Sequence, residues 1–256
     1  MPLNIGGNII SSTGIVGNTF KNIVATNGLV LHLDAANRNS YPGSGSAWND
    51  LSGYGNNGTL YNSPTFNSAE ASGSLSFNGS NQYAQININS TVLDGDPDFT
   101  VEMFVKRTAT LAGSSGGYWG IGGAGQGYSV EGCTPTDNRI HLDLYDSTRI
   151  DSGSDYPLNT YVHVVWAKIG TAISVTTTRP YVNGILQSAT LGRAQTSAPR
   201  YNTSTSGVGV AIGRLNGNSN SNYGQMNIGI FRVYNRALHP YEIVENFQAQ
   251  KTRFGL

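Results

Sequence analysis

Glu102, Asp143 and Asp146 are the carboxylates that invite a test for hydrolytic chemistry. Glycoside hydrolysis needs two carboxyl groups facing each other across the sugar, about 5–5.5 Å or about 6.5–9.5 Å apart. Glu102 stands alone in its segment between Val101 and Met103, while Asp143 and Asp146 are spaced so that a strand would point them to opposite faces. A solvated strand face or a hydrogen-bonded turn accounts for all three, and no catalytic residue is assigned. His32, His141, His163 and His239 are dispersed and show no metal-ligand spacing. Cys133 lies in a Gly-Cys-Thr-Pro segment read as a loop, with no basic neighbour in sequence to generate a thiolate. Gly120-Ile-Gly-Gly-Ala-Gly125 matches G-x-G-x-x-G formally, but a dinucleotide site needs a helix directly after it. The strand-like Tyr128-Ser-Val stands there instead, so this segment is also read as a loop.

Recognition chemistry has better candidates. A flat aromatic ring can stack on the apolar face of a sugar while neighbouring amides and carboxylates bond its hydroxyls. Tyr118 with Trp119, Tyr201 with Asn202, and Tyr223 among Asn218, Asn220 and Asn222 fall in segments rich in Gly, Ser and Asn, where loops are expected. Local packing, or contact with a neighbouring subunit, is the competing account of these rings. Trp48 and Trp166 are assigned to the core. Asp94-Gly-Asp-Pro-Asp98 offers oxygen ligands, and Asp94, Asp96 and Asp98 are weak calcium candidates. An EF-hand loop would need Glu at its twelfth position, where Val105 stands, and a turn ahead of the next strand explains the segment equally well. No other cofactor is expected.

Strands must position these residues. Leu29 to Asp34 opens the body, Ser74 to Asn78 and Tyr83 to Ile88 alternate apolar with polar residues, and Arg139 to Tyr145 places Ile140, Leu142 and Leu144 on one face. Phe99 to Lys106 puts Val101, Met103 and Val105 on one face, and Tyr161 to Lys168 is apolar enough for a strand buried on both faces. Asn183-Gly184 between two apolar runs predicts a type I′ hairpin, because both central residues there need positive φ. Val208 to Arg214 and Ile228 to Tyr234 supply two more strands. One helix is expected near the end, with Pro240 at its first position, Glu242 at its positive pole, and Ile243, Val244 and Phe247 as its apolar stripe. Residues 1–27 differ, with apolar pairs set between Gly, Asn and Ser and Lys21 as their one charge. They read as an extended arm with one or two edge strands, either folded back onto the body or docked on another chain. The domain proper is then 28–256.

The chain has 256 residues, of which 12% are charged and 33 are Gly, a profile that suits many short strands joined by tight turns. Fifteen basic residues balance fifteen acidic ones without clustering, which argues against a nucleic-acid partner. No apolar stretch approaches the roughly 18–20 residues of a membrane span, so membrane insertion is not expected. A lone cysteine excludes an intramolecular disulfide. Lys21 is the first basic residue, so a basic leader ahead of an apolar core is missing, and folding in a cytosol is expected.

Four segments in order carry a family resemblance. They are Gly28-Leu-Val-Leu-His-Leu-Asp34 with Asp50-Leu-Ser-Gly-Tyr-Gly-Asn-Asn-Gly-Thr-Leu60; Gly73-Ser-Leu-Ser-Phe-Asn-Gly-Ser-Asn-Gln-Tyr83; Phe99-Thr-Val-Glu-Met-Phe-Val105 with Tyr161-Val-His-Val-Val-Trp-Ala167 and Tyr181-Val-Asn-Gly184; and Phe231-Arg-Val-Tyr-Asn-Arg-Ala-Leu238 leading into Glu242-Ile243. Over roughly residues 28–250 the chain resembles laminin-G-like jelly rolls of the concanavalin A-like superfamily. The resemblance implies an all-β fold: a two-sheet antiparallel jelly-roll sandwich with one short C-terminal helix and the extended N-terminal arm. Glucanases on this fold carry Glu-x-Asp-x-Glu along one strand, which this chain lacks. Gly229 and Ile230 stand where relatives often have an acidic pair, and Asn78 where they often have Asp, which argues against a family-type calcium site.

Such domains are common in virion and tail-fibre proteins of bacteriophages, and Leu33-Asp-Ala-Ala-Asn37 followed by Ser40-Tyr-Pro-Gly-Ser44 looks like that group. The resemblance implies a non-catalytic structural virion protein, such as a capsid decoration, fibre or tail component. It would be held to other virion proteins through its arm, would form a homo-oligomer, and would contact host glycans. The alternative is a free carbohydrate-binding, lectin-like module.

Overall fold

The computed structural model describes residues 3–5, 8–11, 14–18, 23–88, 98–109, 116–122, 130–134, 139–144, 149–170, 174–193, 209–214 and 223–256. The chain opens with β1 (Leu3–Ile5), β2 (Asn8–Ser11), β3 (Gly14–Asn18), β4 (Leu29–Asp34), β5 (Ala47–Trp48), β6 (Gly58–Tyr61) and β7 (Thr65–Asn67). It continues through β8 (Ser74–Asn78), β9 (Tyr83–Ile86), β10 (Phe99–Arg107), β11 (Gly116–Gly122), β12 (Val130–Thr134), β13 (Arg139–Leu144) and β14 (Arg149–Asp155). It ends with β15 (Tyr161–Lys168), β16 (Thr178–Val182), β17 (Ile185–Leu186), β18 (Ala189–Arg193), β19 (Gly209–Ile212), β20 (Gln225–Tyr234), α1 (Pro240–Gln250) and a 3₁₀ turn over Lys251–Phe254.

Two antiparallel sheets form the expected sandwich. One has eight strands in the order β17-β16-β15-β10-β20-β8-β7, with β4 also on β20; the other has nine, in the order β18-β14-β13-β12-β11-β19-β9-β6-β5. Alternation sends Val101, Met103, Val105, Trp166 and Phe231 inward from the first sheet to meet Ala84, Ile86, Trp119, Val210 and Ile212 from the second. Trp119 and Phe231 meet edge to face across the layer, with centroids 6.4 Å apart.

The outer face of the eight-stranded sheet is covered as well. Leu29, Val165, Tyr181 and Tyr234 pack under Leu238 and Ile243, while Phe104, Tyr161 and Ile230 pack under Phe254. This second cover is why β15 is buried at every position. The helix begins as its sequence requires. Pro240 follows the N-cap His239, and the Glu242 carboxylate accepts the His239 N–H at 2.9 Å while pairing with both terminal nitrogens of Arg236 at 2.6 and 2.7 Å. The Asn183-Gly184 turn has φ of 51° and 75°, as the type I′ reading demands.

Two expectations are corrected. Residues 116–122 are not loop but β11, paired between β12 and β19 inside the nine-stranded sheet. Glycine disfavours strands, but burying the rings of Tyr118 and Trp119 outweighs that preference. Cys133 accordingly lies on a strand, opposite His141. The arm contains a three-stranded sheet of its own, in the order β1-β2-β3, with β2 paired on both sides. Its last residues are tied to the domain: Ala25 N–H donates to Asn246 Oδ1 at 2.8 Å, and Arg236 Nε donates to the Asn27 carbonyl at 2.9 Å.

Candidate functional site

The aromatics expected on loops separate in the structure. Tyr118 and Trp119 are core residues at 2% and 0% exposure, so neither presents a ring to a ligand. Tyr118 instead packs edge-on against Tyr156. Tyr223 is half-buried and bridges to Gly117 and Arg214. Tyr201, Asn202, Asn220, Asp94 and Asp96 lie outside the described residues. Asp98 Oδ1 accepts the Gly170 N–H at 2.6 Å, a contact between residues distant in the chain. Among the described residues no group of three or more His, Cys, Asp or Glu side chains is placed to hold a metal ion. Asn78 serves a turn, its Oδ1 accepting the N–H groups of Ser80 and Asn81 at 3.0 and 3.2 Å.

The exposed aromatic surface is built from residues that sequence reasoning passed over. β6 and β9 pair with Tyr61 opposite Tyr83 and Leu60 opposite Ala84. Leu60 and Ala84 face the core, so the two tyrosines point out of the nine-stranded sheet. Their rings are parallel to within 5° at 4.6 Å, and Tyr61 is 43% exposed. The Arg214 guanidinium sits 3.7 Å from the Tyr83 centroid and donates to Gln85 Oε1 at 3.0 Å, and the Tyr223 ring tilts against Tyr83 at 6.4 Å. Tyr223 is thus the one described residue of the predicted set that joins this surface. The period-two pattern in Gly58-Thr-Leu-Tyr61 and Tyr83-Ala-Gln-Ile86 carried the signal, but only the register shows that the two rings meet.

Glu102 is not on a solvated face. It is wholly buried beneath α1. Its Oε1 lies 2.9 Å from His163 Nε2 and 3.2 Å from Arg232 Nη1, and its Oε2 accepts from Asn246 Nδ2 at 2.8 Å and the Tyr234 hydroxyl at 3.3 Å. Burial alone would raise its pKa, but the Arg232 charge and the His163 and Asn246 hydrogen bonds reverse this and lower it to about 2. His32 stands nearby with its pKa lowered to about 4, first by burial and then by Arg232. The same burial drives the Tyr234 hydroxyl far above its ordinary value. A second sealed carboxylate, Asp151, lies 2.5 Å from His141 Nδ1 and 2.8 Å from Arg149 Nε. Both acids are buried and bonded to protein partners.

This two-sheet sandwich with a helix-capped outer face defines a lectin-like class. The chain belongs to the concanavalin A-like lectin/glucanases superfamily, whose laminin-G-like family model matches residues 78–244. No curated protein matches it in sequence. Among solved structures it is similar to Trypanosoma rangeli sialidase in complex with 2,3-difluoro-KDN, at a TM-score of 0.64 and 18% identity over 98% of this chain and 36% of the sialidase. It is similar also to the receptor binding domain of botulinum neurotoxin C/D mosaic serotype, at 0.61 and 18% over 88% of this chain and 52% of that one. The serotype D binding domain gives 0.60 and 17%, with the same coverage. The chain therefore spans about a third of the sialidase and about half of the toxin domains, and at these identities the likeness is one of fold. No helix among the described residues is long and apolar enough to cross a membrane.

Proposed function

We propose that this chain is a non-catalytic, glycan-binding, lectin-like domain. One observation carries the reading: Tyr61, 43% exposed, stacks on Tyr83 at an outer sheet face, with Arg214 lying over the Tyr83 ring and bonded to Gln85. Tyrosine gives a rigid apolar surface with a polar tip, which suits a ring that is apolar on one face and hydroxylated at its rim. The fold neighbours agree in kind, since one is a sialidase holding a sugar-like acid and another is a receptor binding domain. Absence of catalysis is inferred from the burial of Glu102 and Asp151, whose oxygens are committed to protein partners. The test is a glycan array on the whole chain, repeated with Tyr61→Ala. Binding that falls at least tenfold in the variant, at unchanged melting temperature and without hydrolysis of the bound glycan, is the expected result. Binding indifferent to Tyr61, or turnover of the glycan, overturns the reading.

A second reading concerns context. Residues 1–27 would dock the domain on other structural proteins of a phage-like virion, as a homo-oligomeric decoration, fibre or tail component. The observation favouring it is that β1, β2 and β3 pair with one another and form a sheet separate from the sandwich. Display through the arm and recognition by the tyrosine face are compatible. Purification of the chain from virions, lost on deletion of residues 1–22, tests the arm directly.

A further inference from the structure

Glu70, Lys106 and Asn227 form a polar cluster on the eight-stranded sheet, on its outer face. Lys106 of β10 and Asn227 of β20 stand directly opposite each other in the register. Their neighbours Val105 and Ile228 point into the core, so Lys106 and Asn227 share the outer face. Side chains paired in this way have Cβ atoms about 4.5–5.5 Å apart, a span that a lysine bridges easily. Glu70, in the segment after β7, joins the two. Its Oε1 pairs with Lys106 Nζ, and its Oε2 accepts from Asn227 Nδ2 at 2.9 Å. Asn67 Nδ2 donates to the same Oε2 at 3.3 Å.

The surroundings limit the access of water. Lys106 Nζ stands 5.3 Å from the centroid of the Tyr161 ring, and that ring packs on Phe254 at 5.0 Å. Tyr161 and Phe254 are buried, Asn227 is 9% exposed, and the Lys106 and Glu70 side chains are 20% and 19% exposed. Burial alone would raise the pKa of Glu70, but the hydrogen bonds from Lys106 and Asn227 hold it below its ordinary value, so the carboxyl rests ionised. An amine, a side-chain amide and a carboxylate touching both are the complete set for making a new amide. The amine is the nucleophile, the amide carbon is the electrophile, and the carboxyl moves the protons. Fixing the three together supplies the proximity that an amine and an amide in water lack.

We propose that Lys106 and Asn227 join in an isopeptide bond, with Glu70 as the acid–base catalyst. The ion pair first passes a proton from Nζ to Glu70, leaving a neutral amine and a carboxylic acid with nothing taken from solvent. Nζ attacks Asn227 Cγ while the Glu70 acid protonates Oδ1. Glu70 then carries a proton from Nζ to Nδ2. The Cγ–Nδ2 bond breaks, the carbonyl re-forms, and ammonia departs with the Oδ1 proton as ammonium. One C–N bond forms and one breaks, nothing is oxidised or reduced, and Glu70 ends as it began. The product ties neighbouring strands of the sheet and closes the chain between residues 106 and 227. A single cysteine leaves this chain without an intramolecular disulfide, and the amide is a cross-link that needs no oxidant. Like any such closure, it restricts the unfolded chain.

Intact-mass measurement of the whole chain after denaturation, with tandem mass spectrometry of its peptides, tests it. We expect a mass lower than that of the open chain by one ammonia, located in a peptide that joins Lys106 to Asn227. Glu70→Gln, Lys106→Arg and Asn227→Ala should each restore the open-chain mass. Lys106→Arg keeps the ion pair with Glu70, so it should fold while losing the bond and melting at a lower temperature. Open-chain mass in the unaltered protein, with Lys106 and Asn227 recovered in separate peptides after prolonged incubation, overturns the bond. Ammonia lost instead at an Asn-Gly succinimide or at Asn67, or water lost between Lys106 and Glu70, overturns it too. A Lys106–Asn227 bond that forms as fast in Glu70→Gln overturns the role of Glu70.

Discussion

Glu102 and His163 meet diagonally across β10 and β15, with Oε1 2.9 Å from Nε2 and both side chains at 0% exposure. The pair is the centre of a network that joins strands, helix and arm. Asn246 of α1 donates to Glu102 and accepts from Ala25, while Asn183 Oδ1 accepts the His163 N–H at 2.9 Å. Removing the carboxylate strands the buried Arg232 guanidinium away from solvent. Glu102→Ala is therefore expected to destabilise the domain by about 3–5 kcal/mol, the cost of breaking a buried ion pair from one side. Urea denaturation measures it. A loss below about 1 kcal/mol, the range of exposed pairs, would mean the network contributes no more than a surface contact.

Acid should act on this network in two stages. His32 has a folded pKa near 4, below its ordinary 6.5, so the folded state resists the proton that the unfolded chain accepts. Its contribution is fully present above pH 6.5 and is lost as pH falls from there to about 4. Glu102, with a folded pKa near 2 against an ordinary 4.5, contributes above about pH 4.5 and loses that contribution as pH falls toward 2. Melting temperature followed from pH 7.5 to pH 2.5 is expected to decline in both windows. His32→Gln should flatten the upper window and leave the lower one. An unchanged profile in that variant would remove His32 from the account.

Sequence alternation made the sandwich legible because one face of each strand had to be apolar whatever lay opposite. Val101, Met103 and Val105 declare the inner face of β10 in this way. The same pattern is silent about the outer face, where Glu102 reads as solvated until α1, far along the chain, is laid over it. Trp119 was misplaced for a related reason. The glycines around it carry the composition of a loop, and only the pairing of β11 with β12 and β19 turns them into a strand. Tyr61 and Tyr83 were hidden in plain alternation, since their meeting depends on register between separated strands. Gly229 shows the limit most clearly. A Cβ there would stand 2.5 Å from the Phe254 ring, so the glycine accommodates a contact with the chain's C-terminal turn. As sequence, it registers only as a missing acid.

The arm and the domain part company ahead of Ala25. A chain beginning at residue 23 keeps the Ala25–Asn246 and Asn27–Arg236 hydrogen bonds, and one beginning at Gly28 loses both. Each bond is worth about 1 kcal/mol, and each kcal/mol moves the melting temperature of a domain this size by about 2–4 °C. The shorter deletion should melt with the full chain, and the longer one several degrees lower while still folding. Equal melting temperatures for both would show that residues 23–27 add nothing to the fold. Unfolding of the residue-23 chain would make β1 to β3 integral to the sandwich and remove the support for a docking arm.

The turn at Asn183-Gly184 joins local and tertiary demands at one point. Locally, Gly184 has φ of 75°, where a β-branched residue is strained by about 1–3 kcal/mol. A Cβ there would also stand 3.1 Å from Phe247 Cδ1, and that ring stacks over His163 at 5.5 Å. The turn itself is bound to β15, since Asn183 N–H donates to the His163 carbonyl at 2.8 Å. Gly184→Val should thus cost more than about 2 kcal/mol, the backbone strain together with displacement of Phe247. Gly184→Val combined with Phe247→Ala separates the two contributions. With the ring gone, the valine should add only the backbone strain, so the two substitutions should cost less together than the sum of each alone. Strict additivity would show that the ring does not constrain the turn. A neutral Gly184→Val would show that the turn does not require glycine.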